Sequence, residues 1–545
     1  MDSTPPNDQL YEAVQEYGGV RPAGRALGVA EATIRRRLKN YTPELPANAF
    51  VPNEEDLPAP YVGEDGVDTW ECWDQHQEAN PDGVQRYILT SAQNNADVHE
   101  GFLSNLKALA AHLGNTQLMV SFSIYDRQGY RGLIRQGDSQ INKRDVWWDR
   151  AIKPYAMNSR ARLHERLAFC GELDVLATAK NPLSGLDSYC GRSSVIVPHN
   201  RFSFKCVESR PHQMPKEMFT TGSVTRRKFI QRKTGQVAHF HHVLGALLVE
   251  VRPDGYWHVS HLNAEEDGSF YHLHNRIANG KVHHNRGGVR ALVLGDVHYE
   301  KCDQTQENIT KNIIETLRPR YVVVHDLIDF TSRNHHNRDD ALFKIKHRDV
   351  EVEDEIGEAG VFLDHLSFVA RTARRDARVV VPAANHNDAF KRWLKETDWR
   401  NDPRNALFYL RAAQVLVEAA QVGSSVDPLQ WAIQTHFDLA TEGVEFLRLD
   451  QSYEVAGVEL GIHGHVGPSG SRGSPKAFSR LGFKTFTGHT HSPGIIDGCY
   501  TVGVMGRLNM EYNVGPSKWM HAHGIIYPNG KRAFIFVKDG RWTSE

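Results

Sequence analysis

Five short fragments that carry histidine and carboxylate side chains lie in a fixed order over the second half of this 545-residue chain. They are Gly295-Asp296-Val297-His298, His325-Asp326-Leu327-Ile328-Asp329, Ala384-Asn385-His386-Asn387, Gly461-Ile462-His463-Gly464-His465 and Gly488-His489-Thr490-His491. Each follows an apolar run typical of a β-strand, at residues 292–294, 322–324, 379–381, 458–460 and 483–486. Because loops at the carboxyl ends of strands converge in open α/β sheets, we expect the five fragments to meet.

Together the fragments supply enough nitrogen and oxygen ligands for two adjacent divalent metal ions. Carboxylate, imidazole and amide oxygen suit Mn, Fe, Zn or Co, with Mg as a further option, and we favour Mn. A centre with two metals is a device for attacking phosphate esters. A single fragment of this kind occurs often by chance, and a lone histidine is usually a surface or core residue. Five fragments in one order, each after a strand, favour a metal centre over that structural interpretation.

Charge and cysteine usage narrow the class of protein. The net charge is -2, so any attraction to nucleic acid must be local rather than global. The six cysteines are scattered without a C-x-x-C pair, which gives no support to a zinc ribbon or a redox motif and fits a reducing cytosol. The amino terminus lacks the pattern of a signal peptide, and no apolar run is long enough to cross a bilayer. We therefore expect a cytoplasmic protein without membrane contact.

A chain of this length is too long for one core, so two or three domains are expected. Residues 1–40 predict three short helices, at residues 9–17, 21–27 and 31–39. Residues 41–69 hold five prolines and seven acids without periodicity, which predicts an extended linker.

Residues 70–287 predict a mixed α/β middle domain of unknown role. Its elements are strands at 87–90 and 117–124, a helix at 101–113, and a hairpin formed by residues 245–251 and 257–259. Residues 288–545 alternate strands and helices, which is an α/β layered pattern. Their elements are strands at 289–294, 321–324 and 377–381, helices at 308–317 and 352–374, and, after residue 445, short strands that end with residues 533–537.

The five fragments correspond in order to D-x-H, G-D-x-x-D, G-N-H-[DE], a histidine beside a glycine, and G-H-x-H. On these motifs, residues 289 to about 510 resemble the calcineurin-like metallophosphoesterases, in their nuclease branch. The resemblance implies a layered α/β/β/α sandwich. Two positions depart from the family: His325 replaces a glycine, and Asn387 replaces an acid. Neither position supplies a metal ligand in the family, so the centre should survive, although His325 could alter the backbone packing around it.

The resemblance implies a role for each matching residue. Three residues would bind one metal, three would bind the other and one would bridge both ions: in that order, Asp296, His298 and His491; Asn385, His463 and His489; and Asp326. His386 would act as general acid on the leaving group, or would stabilise charge on the phosphate. Asp329 would orient a metal ligand. His465 is either a further ligand or a loop residue near the substrate.

The expected mechanism follows from these roles. Two cations about 4 Å apart would share a water, lower its pKa and supply hydroxide for in-line attack on phosphorus. The metals and His386 would neutralise the charge that grows on the non-bridging and leaving oxygens. Asp326 and His386 are therefore the expected catalytic residues.

Residues 23–38 resemble the helix-turn-helix of bacterial and phage regulators, with Gly28 at the tight turn. The last helix would enter the major groove of DNA, and the residues available for phosphates or base edges are Thr33, Arg35, Arg36 and Lys39. The local basic charge here is what the chain as a whole lacks. The alternative is a helical hairpin used for oligomerisation, and we favour DNA because the motif is moderately specific.

Three other segments bear on nucleic acid less directly. Residues 331–338 follow the second fragment and would either grip a phosphodiester backbone at the rim of the site or form a solvated loop. Residues 226–228 and 232–233 form a basic cluster around Phe229, for which a solvated face is the more common explanation. The side chains at 239, 241 and 242 are histidines on a predicted strand, which indicates packing rather than a further metal site.

Residues 181–186, 191–194 and 240–247 are similar to segments of large phage-encoded proteins that combine a middle domain with a metallophosphoesterase domain. That family includes the first-step DNA-transfer proteins of T5-like phages, which are associated with degradation of host DNA. The resemblance implies a viral origin, a location in the host cytoplasm and a nuclease. The middle domain leaves room for a homo-oligomer contact, or for a phage or host protein partner.

We therefore predict a two-metal phosphodiesterase that acts on DNA, with a flexibly tethered helix-turn-helix that raises the local substrate concentration. One alternative is a phosphoesterase for small molecules such as nucleotides. The other is a DNA-binding regulator or scaffold whose metal centre is structural. His386 argues against the last alternative, because it has no ligand role to fill.

Overall fold

The computed structural model describes residues 4–39, 41, 43–52, 83–125, 146–210, 213–337 and 340–543. Contacts divide the chain into two compact units. The amino-terminal unit comprises Met1–Ser203, Met218–Phe270 and Arg276–His283, and the carboxy-terminal unit comprises Phe204–Glu217, Tyr271–Asn275 and His284–Glu545. The four segments drawn from the sequence remain a prediction. No helix in the described part of the chain is long and apolar enough to span a membrane.

The chain begins with the three predicted helices, which are confirmed. They are Asn7–Glu16, Val20–Leu27 and Glu31–Leu38. Leu10, Ala23 and Ile34 are fully buried and form a small core between them. Gly28 ends the second helix with φ of 66°, a left-handed conformation that glycine adopts without strain.

The turn after the first helix contacts a later part of the same unit. Gln231 donates from its backbone N–H to the Glu16 carbonyl at 2.7 Å, and from its side chain to the Glu16 carboxylate at 2.6 Å. Arg232 donates to the carbonyl oxygen of Gly18. These bonds hold the three-helix segment against the middle region, whereas the sequence predicts a flexible tether.

A four-stranded sheet lies at the centre of the middle region. Across the sheet the order is Trp257–Asn263, Gly245–Val251, Gln85–Gln93 and Thr116–Ser123. The first two strands form the predicted antiparallel hairpin. The last two run parallel and are joined by the predicted helix, Glu100–Leu113, because parallel strands need a crossover connection. The predicted elements of this region are thus confirmed.

Shorter elements complete this part of the chain. The strands are Ala49–Phe50, Trp148–Asp149, Arg160–His164, Leu167–Cys170, Ser194–Val197, Lys216–Thr220, Phe270–His272, Asn275–Ala278 and Lys281–His284, with a 3-10 turn at Arg150–Tyr155. Ala49–Phe50 pairs with Trp148–Asp149, although it falls inside the predicted linker. Residues 53–69 of that linker lie outside the described residues.

The prediction of a strand at residues 239–242 is wrong, because Lys233–His241 is a helix. Ala238 is buried, whereas Phe240, two residues later, is 80% exposed. Residues two apart share a face of a strand but not of a helix, so this burial pattern follows the helical period. His242 comes just after the helix and is buried.

A six-stranded sheet forms the centre of the carboxy-terminal unit. Across the sheet the order is Val444–Phe446, Arg378–Val381, Tyr321–Val323, Ala291–Val293, Ala522–Ile526 and Arg532–Phe536. The first four strands are parallel, and Ala522–Ile526 runs antiparallel to both of its neighbours. Helices Gln304–Leu317 and Val352–Ala373 share its hydrophobic core. The predicted strands and helices of this region are confirmed. The helices cover the sheet because strands that are apolar throughout must be buried on both faces.

A second sheet of the same unit stacks on the first. Its strands, in order, are Glu454–Val455, Val458–Glu459, Lys484–Thr487, Cys499–Thr501, Gly494–Ile496 and Phe204–Val207. The ring of Phe534 lies 5.6 Å from the rings of both Phe486 and Tyr500, which joins the two sheets. The unit is therefore mixed α/β with two stacked sheets. The four-layer α/β/β/α sandwich remains a prediction.

The unit has further helices. They are Ala341–Lys346, Asn387–Glu396, Ala406–Gln421, Pro428–Trp431 and Pro475–Phe478, with single turns at Tyr299–Lys301, His335–Asn337, Trp399–Asn401, Pro403–Asn405, Ala432–His436 and Pro468–Gly470.

Candidate metal centre

Three of the five fragments leave adjacent parallel strands at the same edge of the first sheet. Asp296 follows Ala291–Val293, Asp326 follows Tyr321–Val323, and Asn385 follows Arg378–Val381. The backbone N–H of His298 donates to the carbonyl oxygen of Asp326 at 2.7 Å, which fastens the first fragment to the second. Parallel strands thus bring residues that are far apart in sequence to one place, as expected.

The first group of side chains is Asp296, His298, Asp326 and His491. One ligand atom from each lies within 4.8 Å of the others, and all four residues are buried. The Nε2 atoms of His298 and His491 are 3.0 Å apart, and His491 Nε2 is 3.3 Å from Asp296 Oδ2. These buried groups could hold a metal ion.

The second group is built around Asn385. Its Oδ1 atom lies 3.1 Å from His463 Nε2 and 3.0 Å from His489 Nδ1. His463 Nε2 is also 3.1 Å from Asp326 Oδ2, and that same oxygen is 3.8 Å from His298 Nε2. Asp326 Oδ2 therefore faces both groups. The structure brings together all seven residues that the sequence nominates as ligands, while their role as ligands remains a prediction.

The donor atoms fit a cation. Both carboxylate oxygens of Asp296 and Oδ2 of Asp326 are buried and accept no hydrogen bond of normal geometry from any described residue. Buried carboxylates that are this incompletely hydrogen-bonded are unfavourable, and a divalent cation is a partner that would satisfy them. The donor set alone does not fix the identity or the number of the ions.

The two carboxylates differ in their electrostatics. Burial, and then the charge of Asp326, raise the pKa of Asp296 well above its usual value, although the backbone N–H groups of His489 and His491 oppose the shift. Burial would also raise the pKa of Asp326, but the imidazoles of His463 and His386 outweigh it and hold that pKa well below its usual value.

Three of the nominated histidines have lowered pKa values. Burial lowers the pKa of His298 and of His491, and it lowers the pKa of His489 to about 4. Neutral imidazole is the form that binds metals. At these three histidines the protonation state near neutral pH is therefore the one that a cation requires.

The backbone of the centre is unusual. Four of the nominated ligands adopt positive φ angles: His298 at 44°, Asp326 at 41°, His489 at 73° and His491 at 55°. Such conformations cost roughly 1–3 kcal/mol each and cluster at functional sites. Gly488 allows the fifth fragment to approach the first, since a Cβ there would lie 2.1 Å from Asp296 Oδ1.

His386 and Asp329 lie beside the first group. His386 Nδ1 is 3.1 Å from the backbone oxygen of Asp329, and its ring lies 4.6 Å from that of His298. Asp329 Oδ1 is 3.1 Å from His298 Nδ1, which leaves His298 Nε2 facing the cluster. Burial would raise the pKa of Asp329, but the hydrogen bond and charge of His298 and the charge of His386 outweigh it and lower that pKa. Asp329 thus holds the ring of His298, while its role beside a metal ligand remains a prediction.

His325 and Asn387, the two positions that differ from the motifs named in the sequence analysis, both pack beside the nominated ligands. His325 is buried, with its Nδ1 atom 3.4 Å from His463 Nδ1. Asn387 accepts a 3.3 Å hydrogen bond from the backbone N–H of Ile328, so its amide holds the second fragment. The ring of His465 lies 5.4 Å from that of His463, and His465 is not among the described residues that could together hold a metal ion.

Three further residues lie at the candidate centre that the sequence does not predict to be there. Glu300 accepts hydrogen bonds from the backbone N–H groups of Asp329 at 2.6 Å and Phe330 at 2.9 Å, so it fixes the turn that carries Asp329. Trp519 packs on His491, with ring centroids 4.2 Å apart, and Tyr512 packs on Trp519 at 5.8 Å. No sequence motif predicts these three residues, although Glu300 lies only two residues after His298.

The rim segment at residues 331–337 is largely engaged with its own unit. Arg333 forms a two-pronged ion pair with Asp402, at 2.6 and 3.2 Å. Ser332 donates to Glu355 at 2.5 Å, and Thr331 donates to Asp329 at 2.6 Å. Arg338 lies outside the described residues. Arg333 is therefore a structural cation rather than a group free to grip a phosphate.

The predicted DNA-contacting residues lie on or next to the third helix. Arg36 and Lys39 are exposed, Thr33 is half-buried, and Arg35 pairs with Glu31 at 2.7 Å. Their contact with DNA remains a prediction.

In the basic cluster, Arg227 pairs with Glu266 at 3.0 Å, and Lys228 lies over the ring of Trp147. Phe229 is buried. These contacts favour the structural explanation of the cluster.

Comparison with known proteins finds protein A1 of Escherichia phage T5, which is 35% identical over 476 residues. The similar region covers 84% of this chain and 83% of that protein. No family model matches the chain, and no solved structure matches it.

Proposed function

The chain belongs to the family of protein A1 of phage T5, and we propose that it is a two-metal phosphodiesterase that cleaves DNA. The observation that carries the proposal is the position of Asp326 Oδ2, which lies 3.1 Å from His463 Nε2 and 3.8 Å from His298 Nε2. One carboxylate oxygen thus faces two separate groups of ligand atoms. This is the arrangement that a pair of ions with a shared ligand requires.

Each residue near the cluster has a defined part in the proposed reaction. Two bound divalent cations, with Mn favoured, would activate water and offset the charge of a phosphodiester. His386 is 17% exposed, so it can reach a substrate while its Nδ1 atom is held 3.1 Å from the Asp329 carbonyl. That contact orients the other ring nitrogen, Nε2, for proton donation to the leaving oxygen. Asp329 and Glu300 keep the loop and the imidazole of His298 in place.

Three features support DNA as the substrate. The chain is a relative of a phage protein, the three-helix segment resembles a helix-turn-helix, and the exposed Arg36 and Lys39 supply local positive charge. The proposal sets the activity in the host cytoplasm, where phage and host DNA meet. A small-molecule phosphoesterase would not need the three-helix segment, and a structural metal centre would not need His386.

The proposal is tested by incubating the purified full chain with linear and circular DNA, with and without Mn²⁺, and with a chelator. We expect hydrolysis that depends on the metal and is lost in the Asp326→Ala and His386→Ala variants. His365→Ala, at an exposed histidine of the helix Val352–Ala373, is the matched control and should retain activity. Hydrolysis of nucleotides but not DNA would support the small-molecule alternative. Full activity of both site variants would refute the centre.

A further inference from the structure

The loop at residues 506–520 places two aromatic rings beside the metal centre. The ring of Trp519 meets that of His491 edge to face, with centroids 4.2 Å apart and an angle of 74° between the planes. The ring of Tyr512 lies 5.8 Å from that of Trp519 at 68°. A continuous path of ring contacts therefore runs from a nominated metal ligand outward to Tyr512.

Tyr512 has two different ends. Its side chain is 52% exposed, yet its hydroxyl lies 3.0 Å from the buried Met510 Sδ. Burial, and then the carboxylates of Asp329, Asp326 and Asp296, raise the pKa of Tyr512 well above its usual value. The hydroxyl is thus anchored at Met510, while about half of the side chain stays open to solvent. An exposed aromatic face with its polar end anchored is suited to stacking.

The loop is held in place by bonds at several points. Glu511 pairs with Lys346 at 2.7 Å, and the Asn513 side chain bonds to the backbone of both Met510 and Leu508, at 2.9 and 2.7 Å. Ser517 pairs with the backbone of Ser209. The two rings are therefore positioned before any ligand arrives, which reduces the entropy lost on binding.

We propose that Tyr512 and Trp519 form a nucleobase subsite next to the metal centre, and that the substrate is DNA whose base beside the scissile phosphate is unpaired. The inference rests on the proposed function and names the substrate class of that same site. Every base has a π-face, so stacking on an aromatic platform is strong and tolerant of sequence. A base inside a duplex cannot reach the platform without first being unstacked, and unstacking is energetically unfavourable. Single strands, frayed ends and gaps are thus preferred over intact duplex.

The competing explanation is structural, in which the two rings only cover His491. The two explanations differ in their dependence on a base. If the rings only cover the ligand, loss of Tyr512 lowers every activity alike. If they bind a base, loss of Tyr512 lowers cleavage only where a base is present to stack.

The test uses single-stranded oligonucleotides in which one phosphodiester is cleavable and the other linkages are methylphosphonates. In one set the bases flanking the cleavable bond are present, and in a second set each in turn is replaced by an abasic sugar. The protein is the full chain with Mn²⁺, as wild type, Tyr512→Ala, Tyr512→Phe and Trp519→Phe. Phe368→Ala, at an exposed aromatic of another helix, is the matched control. Bound manganese is measured for every variant.

We expect the wild type to cleave the intact strand about tenfold faster than one of the abasic strands. This ratio should fall to near one in Tyr512→Ala, and should be kept in Tyr512→Phe, Trp519→Phe and Phe368→Ala. An equal loss on intact and abasic strands, or no loss, would overturn the subsite and leave the nuclease proposal standing. A wild type that cleaves no strand would overturn both.

Discussion

The backbone N–H of His386 donates a 3.1 Å hydrogen bond to Oδ1 of Asp326, so the third fragment of the centre is tied to the carboxylate of the second. The other oxygen of Asp326 is left to face the ligand groups. A single side chain therefore positions the proposed proton donor and also presents an oxygen to the nominated ligand groups. Changes at these two residues should have different signatures.

Replacement of Asp326 should remove both metal binding and activity. In Asp326→Asn the side chain can still accept from His386, but the charge that attracts two cations is gone. We expect hydrolysis to fall about a thousandfold or more, since stabilisation of charge is usually the largest catalytic contribution. Manganese titration by calorimetry should show weakened binding. Retention of two tightly bound ions would contradict the bridging role.

Replacement of His386 should separate chemistry from metal binding. His386 is not among the nominated ligands, so His386→Gln should keep its bound manganese. Turnover should fall by about a hundredfold to ten-thousandfold, the usual range for a lost general acid. A substrate with a better leaving group, such as a nitrophenyl ester, should recover part of the loss. If manganese is lost together with activity, His386 is a ligand and our assignment is wrong.

Gly488 should tolerate no side chain. A Cβ at this position would lie 2.1 Å from Asp296 Oδ1 and 3.1 Å from His325 Cβ. Gly488→Ala should therefore displace a nominated ligand, weaken manganese binding and destabilise the unit by about 1–3 kcal/mol, as overpacking does. Thermal unfolding with and without manganese measures both effects.

Gly498→Ala is the matched control for that change. A Cβ at Gly498 would have only ordinary contacts, of which the shortest is 3.4 Å to the backbone oxygen of Phe483. If both glycine variants bind manganese like the wild type, the close approach at Gly488 has no functional consequence.

The proximity of the seven nominated residues could be predicted from the sequence because each lies in a short motif directly after an apolar strand. Parallel strands carry such motifs to one sheet edge whatever the connections between them. Glu300 could not be found in this way, because its partners Asp329 and Phe330 are chosen by the tertiary turn. Tyr512 and Trp519 lie in a loop without helical or strand periodicity, so the spacing of its residues does not predict its contacts with the centre. The docking of Glu16 on Gln231 is likewise a long-range contact.

Local patterns also misled at one helix. His239, Phe240 and His241 alternate in polarity, which favours a strand, yet this segment is helical and leaves Phe240 exposed. The packing of Ala238 in the interior outweighs the alternation of polar and apolar residues, since strand preference depends strongly on context.

The buried histidines should make the amino-terminal unit sensitive to acid. Burial lowers the pKa of His242 to about 3, and it lowers the pKa of His199 to about 4. Below about pH 6.5 the unfolded chain binds a proton at each site while the folded chain does not. The free energy of unfolding therefore decreases as the pH is lowered, by up to about 1.4 kcal/mol per site and pH unit. The loss should continue down to the folded pKa values.

His242→Phe should reduce the pH dependence of the free energy of unfolding, because one proton fewer is taken up on unfolding. Both ring nitrogens of His242 lack a hydrogen-bond partner among the described residues, and the ring of Phe229 lies 5.8 Å away, so an aromatic ring should be accepted. The midpoint of thermal unfolding is measured between pH 8 and pH 5, with His283→Phe, at an exposed histidine, as control. A variant with the same slope as the wild type would show that His242 is protonated in the folded state.

The three-helix segment should contribute the salt-sensitive part of DNA binding. Arg36 is exposed on Glu31–Leu38, whereas Arg35 is partly satisfied by Glu31 at 2.7 Å. Arg36→Ala should therefore weaken binding more than Arg35→Ala. The slope of log affinity against log salt should fall by about 1 if Arg36 contacts a phosphate. Fluorescence anisotropy with a labelled duplex at several salt concentrations measures this slope, and Arg411→Ala on the helix Ala406–Gln421 is the control. If Arg36→Ala and Arg411→Ala have the same slope as the wild type, the segment is a helical packing module, and its contacts from Glu16 to Gln231 and from Gly18 to Arg232 are its main role.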